Sequence, residues 1–219
     1  MSVAVATGLY GISFGALSVV AGVSLAQTMA LSLLLFSGGS QFALIGVVAA
    51  GGSPAAAVTT AALLGARNTL YGAVVAPLLR VRGWRRLVAA QLTIDESTAV
   101  AVGQRESSAA RAGFWVTGVG VFVLWNAFTL LGALAGDALG DPRAWGLDAA
   151  AGAAFLALVW PRLAARRAQV VAALAVVVSV CLIPVVPAGM PVLAAAAVAV
   201  VAGIVSRPDT PAARTQEPS

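Results

Sequence analysis

The chain has 219 residues, of which 60% are hydrophobic and only 10% charged, with a mean hydropathy of +0.97. A soluble domain carries about 25% charged residues, so these side chains cannot solvate a globular surface. The composition excludes a soluble globular protein and implies an all-α integral membrane protein. The net charge of +5 comes from 13 arginines and no lysine. They cluster in short loops beside apolar stretches, as topology signals do. No zinc finger, phosphate loop or aromatic RNA-binding stripe accompanies them, so no nucleic-acid partner is expected. Histidine is absent, which removes His-based metal sites, the Ser-His-Asp triad and the HExxH helix together. Serines are plentiful but have no His or Lys to act as base. No enzyme, no metal and no cofactor is expected.

Apolar stretches fall at about 3–26, 27–50, 54–79, 87–104, 112–136, 145–161, 168–183 and 190–206. A spanning helix needs about 20 mostly apolar residues. No basic region precedes the first stretch, which reads as a retained helix and not a signal peptide. The loop holding Arg80, Arg82, Arg85 and Arg86 is strongly basic, as is that with Arg162, Arg166 and Arg167. The positive-inside rule places both in the cytoplasm. Counting back from Arg80 puts the N-terminus outside. Counting forward, the acidic stretch Asp137–Asp148 falls inside if 87–104 crosses, and outside if it does not. The segment carries Asp95 and Glu96 at its middle, which would be costly in lipid. The expectation is therefore about seven spans, N-out and C-in, in a multi-pass protein of the cell membrane, with 87–104 re-entrant. Trp84, Trp115 and Trp145 lie near segment ends and suit an interfacial belt.

Residues 1–206 form one membrane transport domain in this reading, and 207–219 a short disordered polar tail. Phe14-Gly15-Ala16-Leu17 resembles Leu131-Gly132-Ala133-Leu134, and each precedes a Gly-led turn. The runs that follow are broken by Ser37-Gly38-Gly39 and by Pro161. Discontinuous helices at matching positions suggest an inverted repeat, about 3–79 against 112–183, as in secondary transporters. The competing reading is that Gly/Ala-rich helices align with each other easily.

Few residues in these stretches can carry chemistry. Arg67 lies near the centre of 54–79, where a cation costs about 2.5–3.5 kcal/mol on translocon scales. It should face a polar cavity or a carboxylate, with Asn68 beside it and Tyr71 one turn on. Arg67 either captures a substrate carboxylate or pairs with Asp95 or Glu96; both hold if substrate competes for the pair. Gln91, Asp95 and Thr98 share one helical face. An intramembrane carboxylate is by default a proton or ion site. Asp95 is the preferred coupling residue, with Glu96 beside it, unless the segment is a solvated loop. Ser37, Gly38, Gly39, Ser40 and Gln41 interrupt an apolar helix. The glycines permit unwinding or close helix approach, and Ser40 and Gln41 can bond substrate or freed backbone. Gly8, Gly11 and Gly15 support the same two readings in the first helix. Asn126 bonds either another helix or substrate. The lone Cys181 reads as a small buried or lipid-facing hydrophobe.

These motifs resemble the AzlC-type large subunit of branched-chain amino acid exporters. The match runs through Gly8-Leu9-Tyr10-Gly11-Ile12-Ser13-Phe14-Gly15, Phe36-Ser37-Gly38-Gly39-Ser40-Gln41-Phe42, Gly65-Ala66-Arg67-Asn68-Thr69-Leu70-Tyr71-Gly72, Leu92-Thr93-Ile94-Asp95-Glu96 and Gly146-Leu147-Asp148. Ile94 stands where the family often has Thr directly before the acidic pair. The resemblance implies export of branched-chain or other small neutral amino acids, with a small AzlD-type membrane subunit as partner. Proton exchange at Asp95 or Glu96 is the coupling the residues offer. The alternative function is a non-transporting membrane assembly or sensory protein.

Overall fold

The computed structural model describes residues 2–139, 156, 160–187 and 189–205. Helices α1 (Ser2–Val20), α4 (Pro54–Leu79) and α7 (Ser107–Leu139) are long and apolar enough to cross a bilayer. Between them lie two pairs of short helices. The first pair is α2 (Leu25–Leu34) and α3 (Gly38–Ala49); the second is α5 (Trp84–Gln91) and α6 (Asp95–Val102). After a short 3₁₀ turn at Trp160–Ala164 come α8 (Arg166–Leu182) and α9 (Met190–Val205). Among the described residues there is no strand. The membrane protein expected from composition is all-helical.

Glycine decides how α1 and α7 meet. A Cβ at Gly15 would overlap the Thr129 carbonyl, and one at Gly132 the Ile12 carbonyl. Gly120 faces Ala4, Gly8 faces Leu124, and Gly136 faces Ala16. Residue numbers rise together on both helices, so α1 and α7 run parallel, backbone against backbone. This is the small-residue packing typical of membrane helices. Of the two readings of Gly8, Gly11 and Gly15, close helix approach is the one observed.

Direction then follows for the other elements. Arg111 Nε donates to the Leu78 carbonyl at 3.0 Å, joining the end of α4 to the beginning of α7. These two helices are antiparallel. The intervening α5–α6 pair leaves and returns on that same side. Its returning arm, α6, lies along α7, with Gly113 against Val100 and Gly118 against Ser97 and Leu92 at the tip. The α2–α3 pair does the same from the opposite side. Ser32 Oγ donates to Thr129 Oγ1, so α2 descends along α7. In turn α3 climbs along α4, from Gly39 beside Leu64 and Arg67 to Val47, which shares contacts with Gly189 and Ala56.

This arrangement corrects two expectations. The stretch 27–50, read as a span, turns back halfway, and α1 consequently begins on the arginine-rich side. The N-out orientation was counted from three full spans and loses that basis. The predicted repeat of 3–79 against 112–183 requires α1 and α7 to be antiparallel, and they are parallel. What the described residues hold instead is a span followed by a hairpin, α1 with α2–α3, then the same order inverted, α4 with α5–α6. Among the described residues the seven-span count is not reproduced; three long helices precede the α8–α9 hairpin. That hairpin is closed by Ser179 Oγ donating to the Pro191 carbonyl at 3.2 Å and Arg167 Nη2 to the Ala202 carbonyl at 3.4 Å. Gly189, at its turn, sits against α3 and α4 on the side away from the arginines. Gly146–Asp148, Trp145 and the tail 207–219, for which roles were expected, lie outside the described residues, as does most of 145–161.

Each hairpin has sequence causes. Ser24 caps α2 by accepting from the Gln27 backbone N–H at 3.3 Å, while Gln27 Oε1 accepts from the Ser24 N–H at 3.0 Å. That reciprocal box starts a helix. Pro54 opens α4 behind Ser53, whose hydroxyl accepts from the Ala56 N–H at 3.2 Å. At the second tip, Ser97 Oγ donates to the Leu92 carbonyl at 2.6 Å and accepts from the Ile94 N–H at 3.1 Å. The hairpin geometry predicts that cysteines at Gly22 and Gly51, in a chain with Cys181 replaced by serine, are labelled from the same side. Labelling of the two positions from opposite sides would show that 27–50 crosses after all.

Candidate functional site

Both tips end at the level of Arg67. This residue lies near the middle of a 26-residue helix, which at 1.5 Å per residue is about 39 Å long. Twelve residues, or about 18 Å, separate Arg67 from the arginine-rich end, roughly half a bilayer's hydrocarbon thickness of about 30 Å. Arg67 Nη2 lies 3.0 Å from Asp95 Oδ2, with side-chain exposures of 25% and 18%. The pairing expected between Arg67 and an acid is thus present, and it is with Asp95. Arg67 Nε and Asp95 Oδ1 are buried with no protein partner, so each partner keeps one polar atom in reserve.

A cavity of about 120 Å³ opens beside the pair. Polar lining comes from Thr7, Tyr10, Ser37, Arg67, Asn68, Asp95 and Glu96. Phe36, Phe42, Ile94, Val121 and Trp125 form its apolar walls, and Gly38 and Gly39 supply bare backbone. Both glycines have close neighbours that a side chain would have to displace slightly. A Cβ on Gly38 would stand 3.0 Å from the Trp125 ring, and one on Gly39 3.0 Å from Arg67 Nη2.

Two helix N-termini converge here, and they differ. The first N–H groups of α3 follow Ser37, whose side chain makes no capping bond. Unsatisfied N–H groups and the macrodipole make such a terminus an anion site. By contrast, the first turn of α6 carries its own acids, Asp95 and Glu96. Glu96, half-buried, accepts from Thr7 Oγ1 of α1 at 3.3 Å.

Of the residues singled out from sequence, Ser37, Gly38, Gly39, Arg67, Asn68, Asp95 and Glu96 meet at this cavity. Ser40, Gln41 and Tyr71 do not line it. The Ser40 hydroxyl donates to Ser37 Oγ at 3.1 Å. Gln41, fully buried, has its amide turned to the backbone. Its Nε2 donates to the carbonyls of Leu35 at 2.9 Å and Leu31 at 3.2 Å, and its Oε1 accepts from Trp125 Nε1 at 3.0 Å. Gln41 therefore adds a second donor to two carbonyls that already accept from the Leu35 and Ser37 N–H groups, and it gives the buried Trp125 indole its acceptor. Gln91 serves neighbouring carbonyls from the other tip, Leu33 at 2.9 Å and Leu34 at 3.4 Å. Asn126 bonds the Phe122 carbonyl of its own helix at 2.7 Å, neither of its expected partners. Cys181 is exposed, the lipid-facing alternative.

Sequence reasoning missed Thr7, Tyr10, Val121 and Trp125. Thr7 and Tyr10 lie between glycines that drew the eye to packing. Trp125 sits mid-helix, where an apolar aromatic gives no signal of its own. Its ring packs among Phe14 and Phe42, at centroid distances of 6.2 and 6.3 Å.

Three helices long and apolar enough to cross a bilayer, with two broken helices whose tips meet at a polar cavity, are the architecture of an α-helical membrane protein. The family model described as AzlC protein matches residues 2–139, the stretch that holds α1–α7 and the whole cavity. The chain belongs to the AzlC family. It is 33% identical over 159 residues to an uncharacterized membrane protein of Archaeoglobus fulgidus, covering 72% of this chain and 69% of that one. No solved structure matches it.

The two glutamines are expected to differ in weight. Gln41→Leu should lower thermal stability in detergent by about 1–3 kcal/mol, because it leaves the buried Trp125 indole N–H without its acceptor. Gln91→Leu should cost less, because its bonds lie in an exposed setting. Equal melting temperatures for Gln41→Leu and wild type would remove Gln41 from this role.

Proposed function

We propose that the protein is the membrane subunit of a secondary exporter of branched-chain or other small neutral amino acids, proton-coupled and acting with a small AzlD-type subunit. One observation carries the reading: a small cavity at mid-helix depth presents positive and negative poles side by side, with apolar walls between. The size is close to that of an engineered cavity of about 150 Å³ that admits benzene, which suits a small molecule and not a peptide.

Charge balance supports a zwitterion. Each helix N-terminus acts as about half a positive charge, so α3, α6 and Arg67 together offset the two carboxylates of Asp95 and Glu96. A substrate with net charge would upset that balance in a low-dielectric site. The bare terminus of α3, beside Arg67, suits the substrate carboxylate. Phe36, Phe42, Ile94 and Val121 suit an aliphatic side chain. A pocket of this kind separates substrates by only about 1–3 kcal/mol per methylene, so leucine, isoleucine, valine and methionine overlap. With the arginine-rich side cytoplasmic by the positive-inside rule, the α5–α6 hairpin enters from the cytoplasm and α2–α3 from outside.

Cells lacking the protein and its small partner should accumulate these amino acids when fed their dipeptides, and restoring both genes should relieve the accumulation. Gly39→Ala, whose methyl group would push the Arg67 guanidinium aside, should reduce efflux at least tenfold with expression unchanged. Unaltered efflux of every aliphatic amino acid in the deleted strain would overturn the assignment.

A further inference from the structure

The two acids at the tip of α6 are not equivalent. Asp95 is held by Arg67 at 3.0 Å. Glu96 has no ion-pair partner among the described residues; its contact from another helix is the Thr7 hydroxyl at 3.3 Å. Acids in a helix's first turn often serve only the macrodipole. Glu96 does more than that, because its side chain lines the cavity and is tied to α1. The groups facing it are Thr7 and Tyr10 from α1, Arg67 and Asn68 from α4, and Asp95 from its own helix. The nearby walls from α3 and α7 bring Phe36, Phe42, Val121 and Trp125, none charged. Asp95 keeps a free Oδ1 but its charge is already balanced by Arg67, so the cavity carboxylate whose charge has no paired cation among the described residues is that of Glu96.

We propose that Glu96, positioned by Thr7, binds the ammonium group of the substrate, and that a proton competes with that ammonium for the same carboxylate. This rests on the amino-acid reading above and goes beyond it, since it separates Glu96 from Asp95 and fixes the sense of coupling. Substrate binding requires the Glu96 carboxylate to be ionised, so loading from the cytoplasm releases its proton there. When substrate leaves on the outer side, the vacated carboxylate takes a proton from outer water and carries it back. The exchange is one ammonium against one proton at one group. An inward proton gradient then drives outward substrate movement. Were the proton instead taken by an Asp95 displaced from Arg67 by the substrate carboxylate, proton and substrate would travel together, and the same gradient would drive uptake.

The test compares leucine with 4-methyl-2-oxopentanoate, which keeps the carboxylate and side chain but lacks the ammonium group. Binding is measured by calorimetry on the purified complex with its small subunit, between pH 5.5 and 8. Wild type should bind leucine more weakly at acid pH and release protons on binding it. Glu96→Gln should weaken leucine at least tenfold, leave the oxo acid within threefold, and abolish proton release. Thr7→Val, nearly isosteric, should move leucine binding the same way by a smaller factor. If Glu96→Gln weakens both ligands equally, or leaves the preference for leucine intact, the inference is overturned while the transport reading stands. If wild type binds none of leucine, isoleucine, valine and methionine, the transport reading falls and takes this inference with it.

Discussion

The site depends on one contact, the ion pair between Arg67 at the centre of α4 and Asp95 at the tip of α6. A lone cation at that depth, or a lone carboxylate, would be costly in a low-dielectric surround. Together they fix how far the α5–α6 hairpin reaches and which face of α4 turns inward. The α3 tip closes on the same guanidinium through Gly39, where no side chain fits without moving it. Three elements from two sides of the membrane are thereby gathered around one charged group.

Breaking two helices at mid-depth leaves backbone carbonyls and N–H groups that lipid cannot satisfy. The chain resolves the two kinds of orphan differently. At the end of α2, Gln91 takes up the Leu33 and Leu34 carbonyls and Gln41 reaches that of Ser32 at 3.5 Å, while Ser97 and Thr93 tend those around the second break, Thr93 Oγ1 donating to the Ala89 carbonyl at 2.7 Å. The N–H groups at the start of α3 face the cavity without a side-chain cap. The polar surface that remains at the tips is therefore biased towards donors on α3 and acceptors on α6. That asymmetry is the physical basis for reading the site as one for a dipolar molecule.

Much of the site was legible because charge is so scarce. With no charged side chain before Arg67, that residue, Asp95 and Glu96 had to be together or exposed, and Ser37-Gly38-Gly39 had to interrupt its helix. The membrane class was equally plain. Topology was not. A segment of 24 apolar residues satisfies a length criterion whether it crosses or doubles back, and hydropathy does not register a turn at its centre. Reading 27–50 as a full span set α1 antiparallel to α7, and the repeat of 3–79 against 112–183 was drawn on that basis. The glycines of α1 and α7 held the missing information, but only as a pair of surfaces that fit in parallel. Gln41 was read as bonding either substrate or freed backbone, and its Nε2 bonds backbone carbonyls. Thr7 was invisible, since a threonine on a small-residue helix has many uses.

The most direct measurement is a double-mutant cycle on the thermal stability of the purified protein, using Arg67→Met, Asp95→Asn and both together. If the pair holds the tips in place, each single change leaves an uncompensated charge or an emptied partner, and the double variant loses less than the sum of the two. A coupling of about 1 kcal/mol or more is expected for groups in direct contact and partly buried. Additive losses, within about 0.3–0.5 kcal/mol, would mean that Arg67 and Asp95 act independently, and would contradict the account.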